Sequence, residues 1–200
     1  MAMRKVVCAV LLPAVAVLAA CSPDPVTVSG AAEASSATTP TARPTPAAAE
    51  LGVQLEDRPV ERSFKSGRLT FSVTYAPTSA VTGWTAEGPK AVEVTVTVNN
   101  NADPGQKIYL TRVSLRPGVR GADGDLPGPD AVVDTANLVP GYLVTFPYSY
   151  QQTFAVPPVD ASAARITLGF KYEFVTLVDP KAKDYTKQTT SDAVQITLAA

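Results

Sequence analysis

The sequence predicts an all-β fold, an antiparallel β-sandwich, over residues 51–200. In this stretch, several short segments alternate apolar and polar residues with a period of two, which is typical of strands buried on one face. Gly, Pro, Asn and Asp, which favour turns, separate these segments. No segment keeps the 3.6-residue period of an amphipathic helix. Crossover helices are therefore not expected, and neighbouring strands should run antiparallel.

Two segments in the first half of this stretch show the clearest alternation. RLTFSVTY, residues 68–75, and VEVTVTV, residues 92–98, place every second residue on one apolar face. The predicted inward residues are Leu69, Phe71, Val73 and Tyr75 in the first segment and Val92, Val94, Val96 and Val98 in the second. Glu93, Thr95 and Thr97 then face solvent, as expected for a strand with one solvated side.

The next segment, KIYLTRVSL at residues 107–115, changes parity partway along. Its apolar residues share one face at Ile108 and Leu110 and the other face at Val113 and Leu115. One extra residue in a strand shifts the faces in this way, so we expect a β-bulge near Thr111 or Arg112. The following insert, residues 116–137, is irregular, and its pattern does not predict a strand order.

Three segments complete the predicted sandwich, at residues 142–156, 165–175 and 193–198. The first should be one long strand, although Pro147 lacks a backbone N–H and therefore indicates an edge position or a bulge. The predicted inward residues are Val144, Phe146, Tyr148, Tyr150, Phe154 and Val156 in the first segment, Ile166, Leu168, Phe170, Tyr172 and Phe174 in the second, and Val194, Ile196 and Leu198 in the third.

Residues 1–21 have the features of an export signal, with two basic residues near the start and an apolar run after them. The run is shorter than the roughly 20 residues that a membrane-spanning helix needs. It closes in Leu-Ala-Ala-Cys at residues 18–21, which resembles the lipobox of bacterial lipoproteins. In that family the chain is cut before the cysteine and the thiol is acylated, which would make Cys21 the lipidated residue. The alternative is an ordinary signal peptide with a coincidental cysteine.

The resemblance to a lipobox divides the chain into three parts. Residues 1–20 form the signal peptide, Cys21 and the residues up to 50 form a tether, and residues 51–200 form the domain. The tether is rich in Pro, Ala, Ser and Thr and has no aromatic residue, so it should stay disordered. Acyl chains such as palmitate would hold the protein on the extracytoplasmic face of the cell membrane. The abundance of Pro, Ala, Val and Thr is typical of a high-GC actinobacterial genome.

Three segments of the domain resemble, in combination, a family of bacterial envelope domains with an immunoglobulin-like fold. They are GWTAEGPKAVEVTVTVNNNAD at residues 83–103, LVPGYLVTFPYSYQQTFAVP at residues 138–157 and ARITLGF at residues 164–170. These segments are also similar to the secreted mycobacterial immunoprotective antigen domain. The resemblance implies an immunoglobulin-like sandwich without catalytic residues. By this analogy we expect a binding domain whose partner is another envelope protein.

The residue inventory excludes several kinds of chemistry. The chain has no His, and its two Cys residues are Cys8 and Cys21. A Ser-His-Asp triad is therefore excluded, as are the His- and Cys-based sites of zinc enzymes and copper chaperones. No glycine-rich phosphate loop occurs, so we expect neither an enzyme nor a cofactor. The formal net charge of −1 indicates no broad basic field that would attract nucleic acid.

Four residues are candidates for specific contacts. Trp84, the only Trp, would either plug the end of the core or form an exposed anchor for a partner. Asp123, Asp125 and Asp130 could supply oxygen ligands to Ca²⁺. Their spacing differs from that of an EF-hand loop, and Asp and Gly equally favour a plain surface loop.

Two other functions remain as alternatives. One is a small-ligand or carbohydrate binder that stacks sugars on exposed aromatic residues such as Tyr142, Tyr148 and Tyr150. The last two share the apolar parity of their segment, so core packing is expected for them. The other is a glycan-active enzyme that uses two carboxylates. Glu56, Asp57 and Glu61 cluster, but at the entry to the domain, where solvated charges are expected.

Overall fold

The computed structural model describes residues 52–178 and 183–199. The predicted signal peptide, Cys21 and the tether lie outside these residues. Within them, the chain forms eleven strands and a short 3-10 turn at Val81–Gly83, and no helix is long and apolar enough to span a membrane. The strands are β1 Val53–Gln54, β2 Val60–Ser66, β3 Leu69–Pro77, β4 Lys90–Asn100, β5 Ile108–Gly121, β6 Asp125–Leu126, β7 Val132–Thr135, β8 Tyr142–Leu143, β9 Tyr150–Val156, β10 Ala163–Leu177 and β11 Tyr185–Thr197.

The strands form two sheets that pack face to face. The four-stranded sheet has the order β2-β3-β4-β9. The seven-stranded sheet runs β1-β11-β10-β5, and β6, β7 and β8 all pair with β5 on its remaining edge. Strands β4 and β5 follow each other in the chain but lie in different sheets, where they pair with β9 and β10 respectively. Apart from β1, which runs parallel to β11, the paired strands are antiparallel, so the predicted all-β sandwich is confirmed.

The core lies between the sheets and consists mainly of the inward residues that the alternation predicts. Every second residue of β3, β4 and β10 is buried over most of each strand, and so are the last alternating residues of β11. Aromatic rings contact each other across the two sheets, with Phe71 5.0 Å from Phe174 and Phe154 5.7 Å from Phe170 between ring centroids. Burying one such side chain contributes about 1.5–3 kcal/mol, so these contacts hold the sandwich together.

The predicted bulge in β5 is confirmed at Thr111. Leu110 lies opposite Phe174 of β10 and Arg112 lies opposite Glu173, which leaves Thr111 without a partner in the register. The Thr111 hydroxyl instead donates a hydrogen bond to the Glu173 carbonyl oxygen at 2.9 Å. The extra residue exchanges the two faces of the strand and explains why its apolar residues change parity.

The first residues of the irregular insert extend β5 to Gly121, and residues 125–143 then form one interrupted edge strand along β5. Strands β6, β7 and β8 pair in turn with the end, the middle and the start of β5. Pro127 and Pro129 separate β6 from β7, and Pro140 stands before β8. Proline cannot donate a ladder hydrogen bond, so the edge is divided into short pieces. A divided edge is a poor template for pairing with another chain.

The prediction of one long strand over residues 142–156 is wrong. Strand β8 ends at Leu143 and β9 begins at Tyr150, and a turn around Pro147 separates them. Two residues predicted to face inward, Phe146 and Tyr148, are 67% and 60% exposed. The other four predicted inward residues, Val144, Tyr150, Phe154 and Val156, are buried.

Candidate interaction surface

Trp84 is not an exposed anchor, because the structure buries it. Its side chain is 2% exposed, and its indole N–H donates a hydrogen bond to the Ser79 hydroxyl at 2.8 Å. Its carbonyl oxygen accepts a hydrogen bond from the Ala199 N–H at 2.8 Å, which ties the end of the chain to this residue. Trp84 therefore closes one end of the core, which is the first of its two predicted roles, and it offers no surface to a partner.

The structure does not gather the three calcium candidates into a site. Asp123, Asp125 and Asp130 are all exposed on the β5–β6 turn and the loop after β6. Asp125 faces Arg120 across the strand pair, with a carboxylate-to-guanidinium distance of 3.9 Å. Among the described residues, no three His, Cys, Asp or Glu side chains come close enough to hold a metal ion. These aspartates have the positions expected of a surface turn.

The three carboxylates considered for glycan chemistry have separate surroundings. Glu56 forms an exposed ion pair with Arg58 at 2.9 Å. The Asp57 carboxylate accepts hydrogen bonds from the N–H and the hydroxyl of Thr82 at 3.1 and 3.0 Å, and the backbone hydrogen bond lowers its pKa. Glu61 lies on the exposed face of β2. The structure therefore does not pair them for acid–base chemistry.

A polar cluster inside the sandwich was not predicted from the sequence. The Tyr75 hydroxyl lies 2.9 Å from that of Tyr172 and donates to a carboxylate oxygen of Asp192 at 3.1 Å. Two guanidinium nitrogens of Arg62 donate to the two oxygens of Asp192 at 3.2 and 3.0 Å. Burial raises the pKa of both tyrosines, and the hydrogen bond that Arg62 donates to Asp192 raises the pKa of Arg62.

This cluster links the two sheets. Arg62 and Tyr75 belong to the four-stranded sheet, whereas Tyr172 and Asp192 belong to the seven-stranded sheet. The bidentate pair fixes the register of one sheet on the other, since its geometry is directional. Each residue of the cluster has a hydrogen-bond partner within it, so the cluster is a structural link between the sheets.

The largest exposed apolar side chains concentrate on the segment that crosses from the seven-stranded to the four-stranded sheet, residues 136–149, here called the crossover segment. Leu138, Val139, Phe146 and Tyr148 are between 60% and 100% exposed. Two loops carry them, one before and one after β8. Exposed apolar side chains of this size, close together in the chain, are typical of a contact surface.

Backbone hydrogen bonds hold the crossover segment firmly against both sheets. The Val144 N–H donates to the Ile108 carbonyl of β5 at 3.0 Å, and the Val144 carbonyl accepts from the Val98 N–H of β4 at 2.8 Å. The Phe146 N–H then donates to the Val98 carbonyl at 3.2 Å. The turn that carries Phe146 and Tyr148 is therefore held in place by backbone hydrogen bonds before any partner arrives.

Of the three tyrosines considered for sugar stacking, two are held by other contacts. Tyr150 is buried, its hydroxyl donates to Asp134 at 2.7 Å, and its ring lies 5.6 Å from that of Tyr142. Tyr148 is the freely exposed one, contrary to the expectation that it packs in the core. Two grooves, of about 900 and 630 Å³, are found on the described surface, and no tyrosine lines either of them.

Comparison with known proteins adds no relative, because no protein-family model matches the chain and no curated protein matches it.

Proposed function

We propose that this protein is a lipid-anchored component of the cell envelope, held at the extracytoplasmic face of the membrane through Cys21, that binds another envelope protein through its sandwich domain. The Leu-Ala-Ala-Cys sequence at residues 18–21 and the apolar run before it support the anchor. The tether of residues 22–50 supports display at a distance, since a coil of this length spans on the order of 30 Å. The exposed side chains of the crossover segment carry the binding proposal.

The crossover segment suits a protein partner for a physical reason. Aromatic residues are enriched at protein–protein interfaces, and burying Phe146 and Tyr148 would remove two large side chains from water. Their backbone is already ordered, so binding costs little conformational entropy. A carbohydrate-binding site would instead be concave and lined by aromatic residues, and the two exposed aromatics lie on a turn outside both grooves.

A crosslinking experiment in intact cells tests the binding proposal. A photoreactive phenylalanine analogue is placed at Phe146 or Tyr148, and at Thr153 as a control on the exposed face of β9. The first two positions should crosslink to one discrete envelope protein, and the control should not. Adding Tyr148→Ser to the probe at Phe146 should weaken that crosslink, because the substitution removes an exposed apolar side chain from the same turn, which the Tyr148 N–H closes on the Thr145 carbonyl at 2.9 Å. Equal crosslinking from all three positions would reject the crossover segment as the contact surface.

A labelling experiment tests the anchor separately. The wild-type protein should take up a fatty-acid probe and partition into detergent, whereas Cys21→Ala should do neither. Cys8→Ala serves as the control, because Cys8 stands near the charged start of the chain without a preceding apolar run. Equal labelling of wild type and Cys21→Ala would reject the lipoprotein assignment.

A further inference from the structure

The outer face of the seven-stranded sheet collects six cationic side chains, although the chain as a whole has a formal net charge of −1. They are Arg112, Arg116 and Arg120 of β5, Arg165 and Lys171 of β10, and Lys187 of β11. All six are exposed. On β5 and β10 they alternate with the buried residues, so they lie on the side of the sheet away from the core. Lys187 lies on the same side, because it pairs with Glu173 there. We call this surface the cationic face.

Two carboxylates on the cationic face offset only part of the charge, since Asp134 and Asp192 of the same sheet bind Tyr150 and Tyr75 on its inner side. Glu173 lies in the middle of the cationic face, where it pairs with Lys187 and with Lys171 at 3.2 Å. The hydrogen bond from Lys187 lowers the Glu173 pKa, so this carboxylate stays ionised near neutral pH. Asp125 faces Arg120 at 3.9 Å. Six positive groups against two negative ones leave a clear excess of positive charge.

Three arginines of the cationic face, Arg112, Arg116 and Arg165, have no acidic partner in the described part of the chain, and the first two belong to the same strand, β5. Arg112 and Arg116 form no ion pair within 4 Å there, and no described side chain accepts a hydrogen bond from their guanidinium groups. An unpaired arginine that is exposed to water costs little free energy. Its planar N–H donors match the oxygens of a phosphate or carboxylate group, to which they can bind in bidentate fashion. These two residues are therefore available to an anionic ligand.

The cationic face is grooved because small residues lie beside the cations. The strand register places Arg116 next to Gly169, which in turn lies next to Ala193, and it places Lys171 between Ser114 and Ser191. These residues line the groove of about 900 Å³. The groove also borders Phe64, Phe170 and the carboxylates of Glu173 and Asp192, and a chain-like ligand can enter it along the basic groups.

The outer face of the four-stranded sheet provides an internal comparison. Its outward residues on β4 are Ala91, Glu93, Thr95, Thr97 and Asn99, with no cation among them. Exposed sheet surface in this protein is thus not basic in general. The outward residues of β2 add one cation, Lys65, and one carboxylate, Glu61, so among the described residues the excess of positive charge is found on the seven-stranded sheet.

We propose that the cationic face binds a linear polyanion that carries phosphate or carboxylate groups along its length. Arg112, Arg116 and Arg120 are each four residues apart on one strand, which separates their Cα atoms by about 13 Å at roughly 3.3 Å per residue. A single small anion can be held by at most two neighbouring arginines of this row, whereas a polymer with repeated charges can contact all three. A bilayer surface is flat and cannot enter the groove beside Arg116.

The test is a binding titration of the full-length protein in a non-ionic detergent with two labelled probes, inorganic polyphosphate and poly-glutamate. The double variant Arg112→Gln with Arg116→Gln should lower the affinity for the bound polymer at least tenfold at low salt. The dependence of the logarithm of affinity on the logarithm of salt should become shallower by about 1.5, because two ionic contacts are lost. A preference for one polymer identifies the anionic group.

The matched control removes two exposed cations elsewhere, with Arg68→Gln and Lys107→Gln. This control has the same net charge as the double variant and should change the affinity less than twofold. Equal losses in both variants would show a long-range charge effect and overturn the site, as would no binding of either polymer to the wild type. Vesicles rich in phosphatidylglycerol form a third arm. Arginine-dependent binding to vesicles without binding to either polymer would assign the face to a membrane surface instead.

Discussion

Strand β4 and residues 142–150 alternate apolar and polar residues in the same way, yet only one of them forms a continuous strand. In β4, every second residue is buried from Lys90 to Asn100. In the other stretch, Val144 and Tyr150 are buried, but Phe146 and Tyr148 between them face solvent. Alternation of apolar and polar residues therefore predicts which side chains would share a face of a strand. Whether the strand forms depends on the hydrogen bonds that the backbone can make.

Backbone hydrogen bonds explain why β4 is continuous and residues 142–150 are not. Strand β4 pairs with β3 on one side and with β9 on the other, so its N–H and C=O groups are used in both directions. The crossover segment changes sheets at Val144 and then turns at Pro147, which has no N–H to offer a ladder. The two apolar residues around this proline are exposed because the sheet ends there.

The largest expected effect concerns Asp192, an inward position of β11 that carries a charge where β4 carries valines. Asp192→Ala removes the bidentate partner of Arg62 and the acceptor of the Tyr75 hydroxyl. Breaking a buried ion pair costs about 3–5 kcal/mol, and partial exposure of Arg62 places this case near the lower end. Urea unfolding measures the loss. Asp192→Asn keeps an acceptor oxygen and should lower the free energy of unfolding less than Asp192→Ala does. Equal losses in the two variants would show that the hydrogen bonds to Asp192 do not stabilise the fold.

The second prediction tests the faces of β4 itself. Val94→Ala or Val96→Ala should cost about 1–3 kcal/mol, because each opens a cavity in a fully buried position. Thr95→Ala lies on the half-exposed side and should stay within about 0.5 kcal/mol. Denaturant unfolding of the three variants gives the comparison. A larger loss for Thr95→Ala would mean that the strand faces are inverted.

Particular residues show how far the sequence alone could predict this structure. Period-two alternation predicts the inward residues of β3, β4 and β10, and the parity change predicts the bulge at Thr111, because both follow from local geometry. The link between Arg62 and Asp192 joins residues 130 positions apart, and no local pattern marks it. The cationic face was likewise hidden, since net charge averages over all surfaces and only the register brings its residues together.

The third prediction concerns three buried tyrosines. Alternation predicts their inward position correctly, but it does not predict the contacts of their hydroxyl groups. Burial raises the pKa of Tyr75, Tyr172 and Tyr150 above the ordinary value of about 10. The unfolded chain releases these protons near pH 10 while the folded chain keeps them, so stability present below pH 10 is lost as the pH rises further. Each tyrosine should contribute a slope of about −1.4 kcal/mol per pH unit. Urea unfolding between pH 9 and 11.5 measures it.

Tyr172→Phe is the control for this alkaline effect. It removes one titrating group and leaves the Tyr75 hydroxyl its acceptor on Asp192. The slope above pH 10 should therefore become less steep by one tyrosine's share, whereas stability at pH 7 should change little. An unchanged slope would show that Tyr172 ionises normally in the folded protein.

The smallest expected effect on stability concerns the exposed residues of the 142–150 stretch. Phe146→Ser and Tyr148→Ser change side chains that contact mainly water, so each should alter the free energy of unfolding by no more than about 0.5 kcal/mol. Phe154→Ser, two residues before the end of β9, is the matched buried change and should cost several times more, because it leaves a cavity and places a hydroxyl in the core. Chemical denaturation of the three variants measures the contrast. If Phe146→Ser proves as costly as Phe154→Ser, Phe146 packs against the protein in solution, and the crossover segment is then part of the core and not a surface presented to a partner.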